Sequence, residues 1–328
     1  MDANHSNLVN LEKVRLEKGL DKCKEVFEES LKLNGLRAID LLNARTLTFP
    51  CLYVLLPQIK AHRLYQRLST RNVLAIRLVN QITGPKSATV PDYLAAKNNN
   101  ILTVLKWMVE TGVIEDGLSD EYEKIMDVSV SVLLDTYQEK SVFPTVVRMI
   151  FTRGKTGHYI HDLVWSCFRL AEPEVLKLIA QRLRSPDRKE AALARELLNL
   201  DGSDIPPNMI SEKLYARYMN WLNENDPFLY FTDEAFQYSG KPTFSAVDFD
   251  RKYFNKGIES YHKQPLKPKD DTESMVLEAF APLSNEQKAM LSGYSYKLQK
   301  KDTSEWEKLM KTPIGEQIRA AKADKEGF

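Results

Sequence analysis

The amino-acid sequence predicts an all-α protein built from packed helices. Apolar residues recur three and four positions apart over most of the 328-residue chain, which is the spacing of one helix face. Only 13 glycines and 15 prolines are present, whereas a β-sandwich or barrel would need many tight turns. The composition is 43% hydrophobic and 28% charged, which is ordinary for a globular protein with a large core.

The first predicted region, residues 1–90, is helical. The segment "NLEKVRLEKGLDKCKEVFEESLKLNG" has helical spacing and predicts a helix that Gly35 can end. A short helix follows in "LRAIDLLNARTL". The segments "PQIKAHRLYQRL" and "RNVLAIRLVNQI" predict two more helices, separated by Ser69 and Thr70, either of which could be an N-cap. The segment "TGPKSATVPD" predicts a loop.

The second predicted region, residues 91–201, contains three successive helix pairs. Their first helices begin near Ile101, Val142 and Glu174, about 41 and 32 residues apart. Helix pairs that recur every 30–45 residues or so are typical of an α-solenoid. A non-repetitive helical bundle stays the alternative. The β-branched "VSVSV" allows a strand, but the spacing around it favours a helix that starts after Ser119.

The last of these pairs resembles a HEAT-type helical repeat over residues 170–201. The match consists of an acid–proline turn, a helix rich in Val and Leu, a second turn, a cation and two alanines: Glu172, Pro173, Pro186, Asp187, Arg188, Ala191 and Ala192. Since alanine lets helices approach closely, at least one of the two is expected to face a neighbouring helix. The resemblance implies a scaffold that binds protein or nucleic acid and implies no particular reaction.

The third predicted region, residues 202–328, begins at a boundary marked by Gly202 and Pro206. It combines an aromatic-rich segment with C-terminal helices, one of them capped by Ser284. Ten aromatic residues lie among the 34 residues from Phe228 to Tyr261, and a disordered linker would lack them. The segment is interpreted either as an arm packed on the protein's own helices or as a docking surface for a partner. The docking residues would be Phe228, Tyr230, Phe231, Phe236 and Tyr238.

The stretch between Asp40 and Asp92 contains basic residues and no acidic residue. The seven cations are Arg45, Lys60, Arg63, Arg67, Arg71, Arg77 and Lys86. Lys60, Arg63 and Arg67 are three and four positions apart and would share a helix face, which Arg71 joins if the helix continues. Such a face would bind an anionic partner. Alternatively, these cations pair with carboxylates from elsewhere in the fold.

No catalytic, metal or cofactor motif is present. His158 and His161 in "GHYIHD" are too few for a zinc site, which needs three or four ligands. The stretch Gly154–Thr156 resembles the end of a phosphate-binding loop, but the glycine required five positions earlier is Met149. The acidic run "EDGLSDEYE" predicts a solvated loop and helix start. The sequence therefore predicts no catalytic residue, no metal site and no cofactor.

The remaining features predict a cytoplasmic protein. The N-terminus lacks the apolar core of a signal peptide, and the longest apolar run, "FPCLYVLLPQI", is too short to span a membrane. Three widely spaced cysteines, Cys23, Cys51 and Cys167, predict reduced core thiols. A net charge of +1 gives no overall attraction to nucleic acid or membrane.

We therefore expect a non-enzymatic scaffold or adaptor that binds a partner protein through a helical-repeat surface. One alternative is a nucleic-acid-binding helical-repeat protein that uses the basic residues. Another is an enzyme whose site is assembled from distant loops. The sequence indicates neither the identity of the partner nor the oligomeric state.

Overall fold

The structure is a computed structural model that describes residues 10–84, 98–113, 118–200, 211–232, 245–258 and 264–326. The predicted all-α class is confirmed, since helices dominate the described residues and the strands among them form one two-stranded sheet. The chain divides into two compact units, Met1–Leu170 and Ala171–Phe328. The predicted region boundaries, after residues 90 and 201, lie outside the described residues.

The described residues of the first unit form ten α-helices. In chain order these are α1 (Leu11–Lys18), α2 (Leu20–Leu33), α3 (Gly35–Asn43), α4 (Phe49–Val54), α5 (Leu56–Ala61), α6 (Thr70–Thr83), α7 (Asn99–Gly112), α8 (Asp120–Ser131), α9 (Phe143–Thr156) and α10 (His161–Arg169). A π-helical turn, Val132–Thr136, continues α8, and 3₁₀ turns occupy Leu64–Arg67 and Lys140–Val142. The helical interpretation of "VSVSV" is therefore confirmed.

Aromatic rings from α4, α7 and α8 form the centre of the first unit's core. Phe49 stacks on Tyr122 with ring centroids 5.5 Å apart and meets the edge of Trp107 at 6.1 Å. The Tyr122 hydroxyl donates a 3.0 Å hydrogen bond to the Gly112 carbonyl at the end of α7. A Cβ at Gly112 would lie 2.7 Å from this hydroxyl and from Met126, so only glycine permits this close approach.

The predicted N-caps of this unit are confirmed. Ser69 Oγ accepts a hydrogen bond from the Asn72 amide, and Ser119 Oγ accepts one from the Tyr122 amide. Each bond satisfies an amide that the first helical turn leaves unpaired. Asn98 caps α7 in the same way, accepting from the amides of the second and third helical residues.

The first predicted helix is interrupted, which the sequence pattern did not indicate. Gly19 has φ 87°, a conformation that glycine adopts readily, and it separates α1 from α2. Gly35 does not end α2 as expected, because the Asn34 side chain accepts hydrogen bonds from the amides of Leu36 and Arg37 and starts α3 at Gly35. Leu16 of the interrupted segment is 52% exposed, although its spacing fits the apolar face.

The predicted helix over "PQIKAHRLYQRL" was wrong beyond its first half. Helix α5 ends at Ala61, and Arg63 adopts a left-handed conformation with φ 54°. Asn43 fixes the following turn, since its Nδ2 donates to the Arg67 carbonyl at 2.9 Å and its Oδ1 accepts from the Ser69 amide at 2.6 Å. These tertiary hydrogen bonds and the burial of Leu64 favour the bend over a continued helix.

The described residues of the second unit form eight α-helices and one antiparallel pair of short strands. The elements are α11 (Pro173–Gln181), α12 (Arg188–Leu197), α13 (Ser211–Asn225), β1 (Leu229–Phe231), β2 (Ser245–Val247), α14 (Phe249–Tyr253), α15 (Asp271–Phe280), α16 (Asn285–Lys301), α17 (Thr303–Met310) and α18 (Ile314–Glu326). Helices α11 and α12, joined by a 3₁₀ turn at Arg182–Arg184, form the helical hairpin expected for residues 170–201.

The two alanines singled out in this hairpin are not the most buried ones. Ala191 is half-buried and Ala192 is exposed, whereas Ala194 on the same helix is completely buried. The face of α12 that packs therefore contains Ala194 and Leu197. Ala194, rather than Ala191 or Ala192, is therefore the buried alanine of this helix.

The core of the second unit is centred on Tyr253 from the aromatic-rich segment. Its ring stacks on Phe280 at 4.4 Å, its hydroxyl donates to Gln317, and its carbonyl accepts from Ser295 Oγ at 2.6 Å. Ser295 Oγ in turn accepts a 2.9 Å hydrogen bond from Trp306 Nε1. The predicted cap of α16 by Ser284 is confirmed as part of a reciprocal capping box.

None of the helices in the described residues is long and apolar enough to cross a membrane. Two of the residues in the "FPCLYVLLPQI" stretch, Phe49 and Cys51, lie in the core with no exposed surface. All three cysteines of the chain are buried and free of disulfide bonds, as the sequence predicts.

Candidate functional site

The three predicted basic residues are exposed, but they do not lie on one helix. Lys60 is in the last turn of α5, Arg63 follows in the left-handed bend, and Arg67 ends the 3₁₀ turn. Within the described residues, no carboxylate lies within 4.0 Å of any of the three side chains. The nearby His62 pairs with Glu28 at 3.1 Å. The three basic residues therefore expose their charges to solvent, but they do not share one helix face as expected.

Arg71, the fourth predicted basic residue, packs inside the unit. Its guanidinium lies 4.4 Å from the centre of the Trp107 ring and donates to the Ala44 carbonyl at 3.1 Å. A second bond joins its Nε to Asn72. Burial lowers the pKa of Arg71 from its ordinary value. Arg71 thus holds α6 against neighbouring elements, and the solvent-exposed cations lie elsewhere.

The predicted docking aromatics belong largely to the second unit's core. Phe228 is buried and meets the edge of the Tyr296 ring at 5.3 Å. Phe231, the last residue of strand β1, is also buried, and Tyr230 in the middle of that strand is half-buried. Phe236 and Tyr238 lie outside the described residues. In the part that can be described, this segment packs on its own unit.

A cleft in the first unit brings together two segments that the sequence analysis considered separately. One is the start of α8, from the acidic run "EDGLSDEYE"; the other is "GHYIHD", the turn from α9 into α10. We call this the acidic cleft, and its volume is about 800 Å³. It is lined by four carboxylates, two aromatic side chains, one histidine and one lysine, namely Asp120, Glu123, Asp127, Asp162, Tyr159, Trp165, His158 and Lys124.

Arg153 supports one wall of the acidic cleft from within the unit. Its side chain is only 2% exposed, and its Nη1 donates to Asp127 at 2.7 Å. The same nitrogen donates to the Tyr159 carbonyl at 3.1 Å, while Nη2 reaches the Glu123 carbonyl at 3.4 Å. One guanidinium therefore fixes the turn that carries Tyr159 against α8. The turn itself needs Gly157, whose φ of 78° ends α9.

His158 and Glu123 form a second link across the acidic cleft. His158 Nδ1 and Glu123 Oε1 are 2.5 Å apart. The structure gives His158 no hydrogen bond to a hydroxyl or thiol among the described residues. A carboxylate that orients an imidazole is part of many catalytic triads, but a nucleophile at the other ring nitrogen completes them.

Tyr159 provides the most exposed aromatic surface of the acidic cleft. Its side chain is 58% exposed, and its ring lies 5.9 Å from that of His161 in a stacked arrangement. The Tyr159 hydroxyl donates to Asp162 Oδ1 at 3.3 Å. Partial burial, and then the charge of Asp162, raise the pKa of Tyr159 above its ordinary value. The hydroxyl therefore stays protonated at neutral pH.

The balance of charge in the acidic cleft is negative. Asp120 and Asp162 are exposed, and they lie beside the Asp127 and Glu123 carboxylates that face Arg153 and His158. Four carboxylates thus face two permanent cations, Arg153 and Lys124. A cation attracted by the carboxylates could lie against an aromatic ring, an arrangement that stabilises Arg and Lys side chains by about 0.5–2 kcal/mol.

The histidines of "GHYIHD" are used for packing and pairing. His158 pairs with Glu123, and His161 begins α10 beside the Tyr159 ring. Among the residues that the structure describes, no group of three or more His, Cys, Asp or Glu side chains is arranged to hold a metal ion. The segment "RGKTG" lies in the last turns of α9, where it is helical up to Thr156.

No protein-family model matches the chain, and no curated protein or solved structure is significantly similar to it. Any function assigned to this protein therefore depends on the chemistry of its own residues.

Proposed function

We propose that this protein is a helical scaffold that binds a partner protein, and that the acidic cleft receives a positively charged segment of that partner. The observation that carries the proposal is the convergence of four carboxylates with the Tyr159 and Trp165 rings in one cleft. Carboxylates attract a cation over a distance, and an aromatic surface holds it on contact. Arginine and lysine side chains have this combination of charge and apolar stem.

The open form of the acidic cleft favours a segment of protein over a small molecule. Small-molecule sites generally enclose most of their ligand's surface. Here Asp120, Gly157, Tyr159 and Asp162 are all exposed along the rim. An exposed rim suits side chains that project from a partner's surface.

Rigid support of the acidic cleft also favours recognition. The buried Arg153 bonds both α8 and the Tyr159 turn, so the Asp127 carboxylate and the backbone that carries Tyr159 are held in place before a partner arrives. Preorganisation of this kind reduces the entropy lost on binding. A role for the cleft as an enzyme site has less support, because among the described residues no hydroxyl or thiol is hydrogen-bonded to His158.

The scaffold part of the proposal also includes the HEAT-like assignment of residues 170–201. Its support is the helical hairpin of α11 and α12, with Pro173 in the first turn of one helix and Asp187 capping the other. HEAT-type proteins use such pairs as binding scaffolds, and the hairpin is consistent with that use.

The test of the cleft is binding of an arginine-rich peptide to the full chain, followed by fluorescence anisotropy. Asp120→Asn combined with Asp162→Asn should weaken binding about tenfold, since each partly exposed charge contributes about 0.5–1 kcal/mol. Tyr159→Ala should weaken binding without changing its dependence on salt. The matched control is Asp40→Asn with Glu110→Gln, two exposed carboxylates that do not line the cleft.

Equal affinity for the cleft variant and the control variant would overturn the proposal, as would preference for an acidic peptide. The same variants can then be used to identify a natural partner from the native host. A true partner should be retained by the unmodified chain and by the control variant, and lost with both cleft variants.

A second candidate function, nucleic-acid binding, is favoured by one observation. Lys60, Arg63 and Arg67 expose their charges with no carboxylate within 4.0 Å in the described parts of the chain. Phosphate binding requires solvent-facing cations of this kind. The loss of the shared helix face weakens this candidate, because three cations on different turns present no single helical stripe.

A further inference from the structure

Two cysteines of the first unit touch each other through their sulfur atoms. Cys23 lies on α2 and Cys51 on α4, and their Sγ atoms are 3.8 Å apart. Both residues are completely buried, and neither is in a disulfide. A separation of 28 positions along the sequence gave no sign of this contact.

A buried ion pair lies beside the cysteine pair. Arg15 of α1 donates to both carboxylate oxygens of Glu12, at 2.5 and 2.9 Å. Glu12 also accepts from Thr48 Oγ1 at 2.5 Å, just before α4 begins. Cys23 Sγ lies 3.6 Å from the Leu11 carbonyl, so α1 covers the sulfurs.

We propose that Cys23 and Cys51 form a reversible disulfide when the protein meets a hydroperoxide, and that this bond links α2 to α4. The sulfurs already lie within van der Waals contact, and they need to approach by only about 1.8 Å to reach bonding distance. The pair is therefore placed for oxidation by the fold itself.

The two thiols are not equivalent, and this difference assigns their roles. A hydrogen bond from Cys51 lowers the pKa of Cys23, and the charge of Arg15 lowers it further. The same hydrogen bond, together with burial, raises the pKa of Cys51. Cys23 Sγ also lies 3.6 Å from the Leu11 carbonyl of α1, so local opening of α1 exposes Cys23 first. Since the thiolate is the nucleophile, Cys23 then attacks the oxidant and Cys51 resolves the intermediate.

The reaction balances with one hydroperoxide. The Cys23 thiolate attacks a peroxide oxygen, an S–O bond forms, the O–O bond breaks, and the leaving oxygen takes up the thiol proton to give water or an alcohol. Cys51 Sγ then attacks the Cys23 sulfur, an S–S bond forms and the S–O bond breaks. The hydroxyl group leaves with the Cys51 proton as water. Two thiols are oxidised by two electrons, and the hydroperoxide accepts both.

Access for the oxidant requires only local opening. The eight-residue α1 covers Cys23, and Gly19, which has φ 87°, joins it to α2. A short helix of this kind can open locally without unfolding of the core as a whole. Once formed, the bond restricts the unfolded chain and should raise the melting temperature of the first unit.

Cys167 is the internal control for this reaction. It is completely buried on α10, and burial raises its pKa. Cys167 has no sulfur partner among the described residues. Cys167 should therefore remain a thiol under conditions in which the pair reacts.

The test treats the folded full chain with hydrogen peroxide and then alkylates it under denaturing conditions. Before alkylation we expect the mass to be lower by two hydrogen atoms, and after digestion we expect a single cross-linked peptide pair that contains Cys23 and Cys51. Cys167 should be alkylated completely, and dithiothreitol should restore alkylation of the pair. Three fully alkylated cysteines after treatment, or oxidation of Cys167 at the same rate, would overturn the proposal.

Two variants separate the roles of the thiols. In Cys51→Ser, Cys23 has no resolving partner and should accumulate as sulfenic acid, which a dimedone probe detects. In Cys167→Ser, the cross-link should form as in the unmodified chain. If Cys51→Ser also lost two hydrogen atoms and formed an intramolecular disulfide, a different pair of cysteines would be reacting. That result would also overturn the proposal.

Discussion

Arg153 donates a 2.7 Å hydrogen bond to Asp127 while its own side chain is only 2% exposed. The pair joins α9 to α8 beneath the acidic cleft, and the same nitrogen holds the Tyr159 carbonyl. A buried guanidinium is costly unless its donors are satisfied, and here carboxylate and carbonyl oxygens satisfy them. The wall of the cleft therefore depends on one side chain.

Arg153→Met should destabilise the first unit by about 3–5 kcal/mol, because it leaves Asp127 without its buried charge partner. Chemical denaturation followed by circular dichroism measures this loss. The double variant Arg153→Met with Asp127→Leu should recover part of it, since no unpaired carboxylate remains. A double variant less stable than the sum of the two single changes would contradict this account of the pair.

Gly112→Ala should also destabilise the first unit. The added Cβ would lie 2.7 Å from the Tyr122 hydroxyl and from Met126, both of which are buried. Displacing them costs about 1–3 kcal/mol, and the Tyr122 bond to the Gly112 carbonyl would lengthen. Gly293→Ala on α16, where no atom lies within 4 Å of the new Cβ, is the control. Equal melting of the two variants would contradict the close approach of α7 and α8.

Local signals in the sequence were sufficient for the helices and their caps. Ser69, Ser119 and Ser284 each cap a helix as predicted, since a cap depends on residues within three positions. The bend at Arg63 was not predictable in this way. It depends on hydrogen bonds from Asn43, about 20 positions earlier, and hydrophobic spacing carries no information about them.

The two segments that line the acidic cleft are separate features of the sequence, and no motif in the sequence joins them. The acidic run and "GHYIHD" are far apart in the sequence, and the His158–Glu123 contact joins residues 35 positions apart. The signal that could have joined them is the excess of acid in one segment and the histidines in the other. Arg153 itself gave no signal, because an arginine near a helix end is usually solvated.

Ala194→Leu tests the packing of the α11–α12 hairpin. Ala194 is completely buried, so a larger side chain should overpack the site and cost about 1–3 kcal/mol. Ala192→Leu on the exposed face should change the stability by about 0.5 kcal/mol or less. Thermal melting of the two variants makes the comparison. Equal effects would show that α12 does not pack through the face that contains Ala194.

Stability at alkaline pH should depend on Tyr218. Burial raises the pKa of Tyr218 above its ordinary value, so the folded state keeps the phenol proton longer than the unfolded state does. Its contribution is fully present below the unfolded pKa of about 10 and is lost as the pH rises towards the folded pKa. The unfolding free energy should therefore fall by up to about 1.4 kcal/mol per pH unit for this group.

Tyr218→Phe removes this ionisation. The difference in stability between the two proteins therefore reports on Tyr218 alone. Urea unfolding of both proteins between pH 7 and pH 11 or so covers the window set by the unfolded tyrosine. The difference in stability should be constant below pH 10 or thereabouts and then shift in favour of the variant. Two parallel profiles over the whole range would contradict a raised pKa for Tyr218.

Charge reversal at Lys60, Arg63 and Arg67 distinguishes the two proposed binding functions. If these exposed cations bind nucleic acid, affinity should fall with salt, and each phosphate contact contributes about −0.9 to the log–log slope on duplex DNA. The triple change to Glu should then abolish binding while shifting stability by about 0.5 kcal/mol or less per site.

The control for the change in net charge compares Arg63→Glu with Arg148→Glu, since Arg148 is an exposed cation on α9. As a scaffold for protein, the unmodified chain should show no measurable affinity for DNA or RNA at physiological salt. Salt-dependent binding that only Arg63→Glu weakens would favour the nucleic-acid function instead.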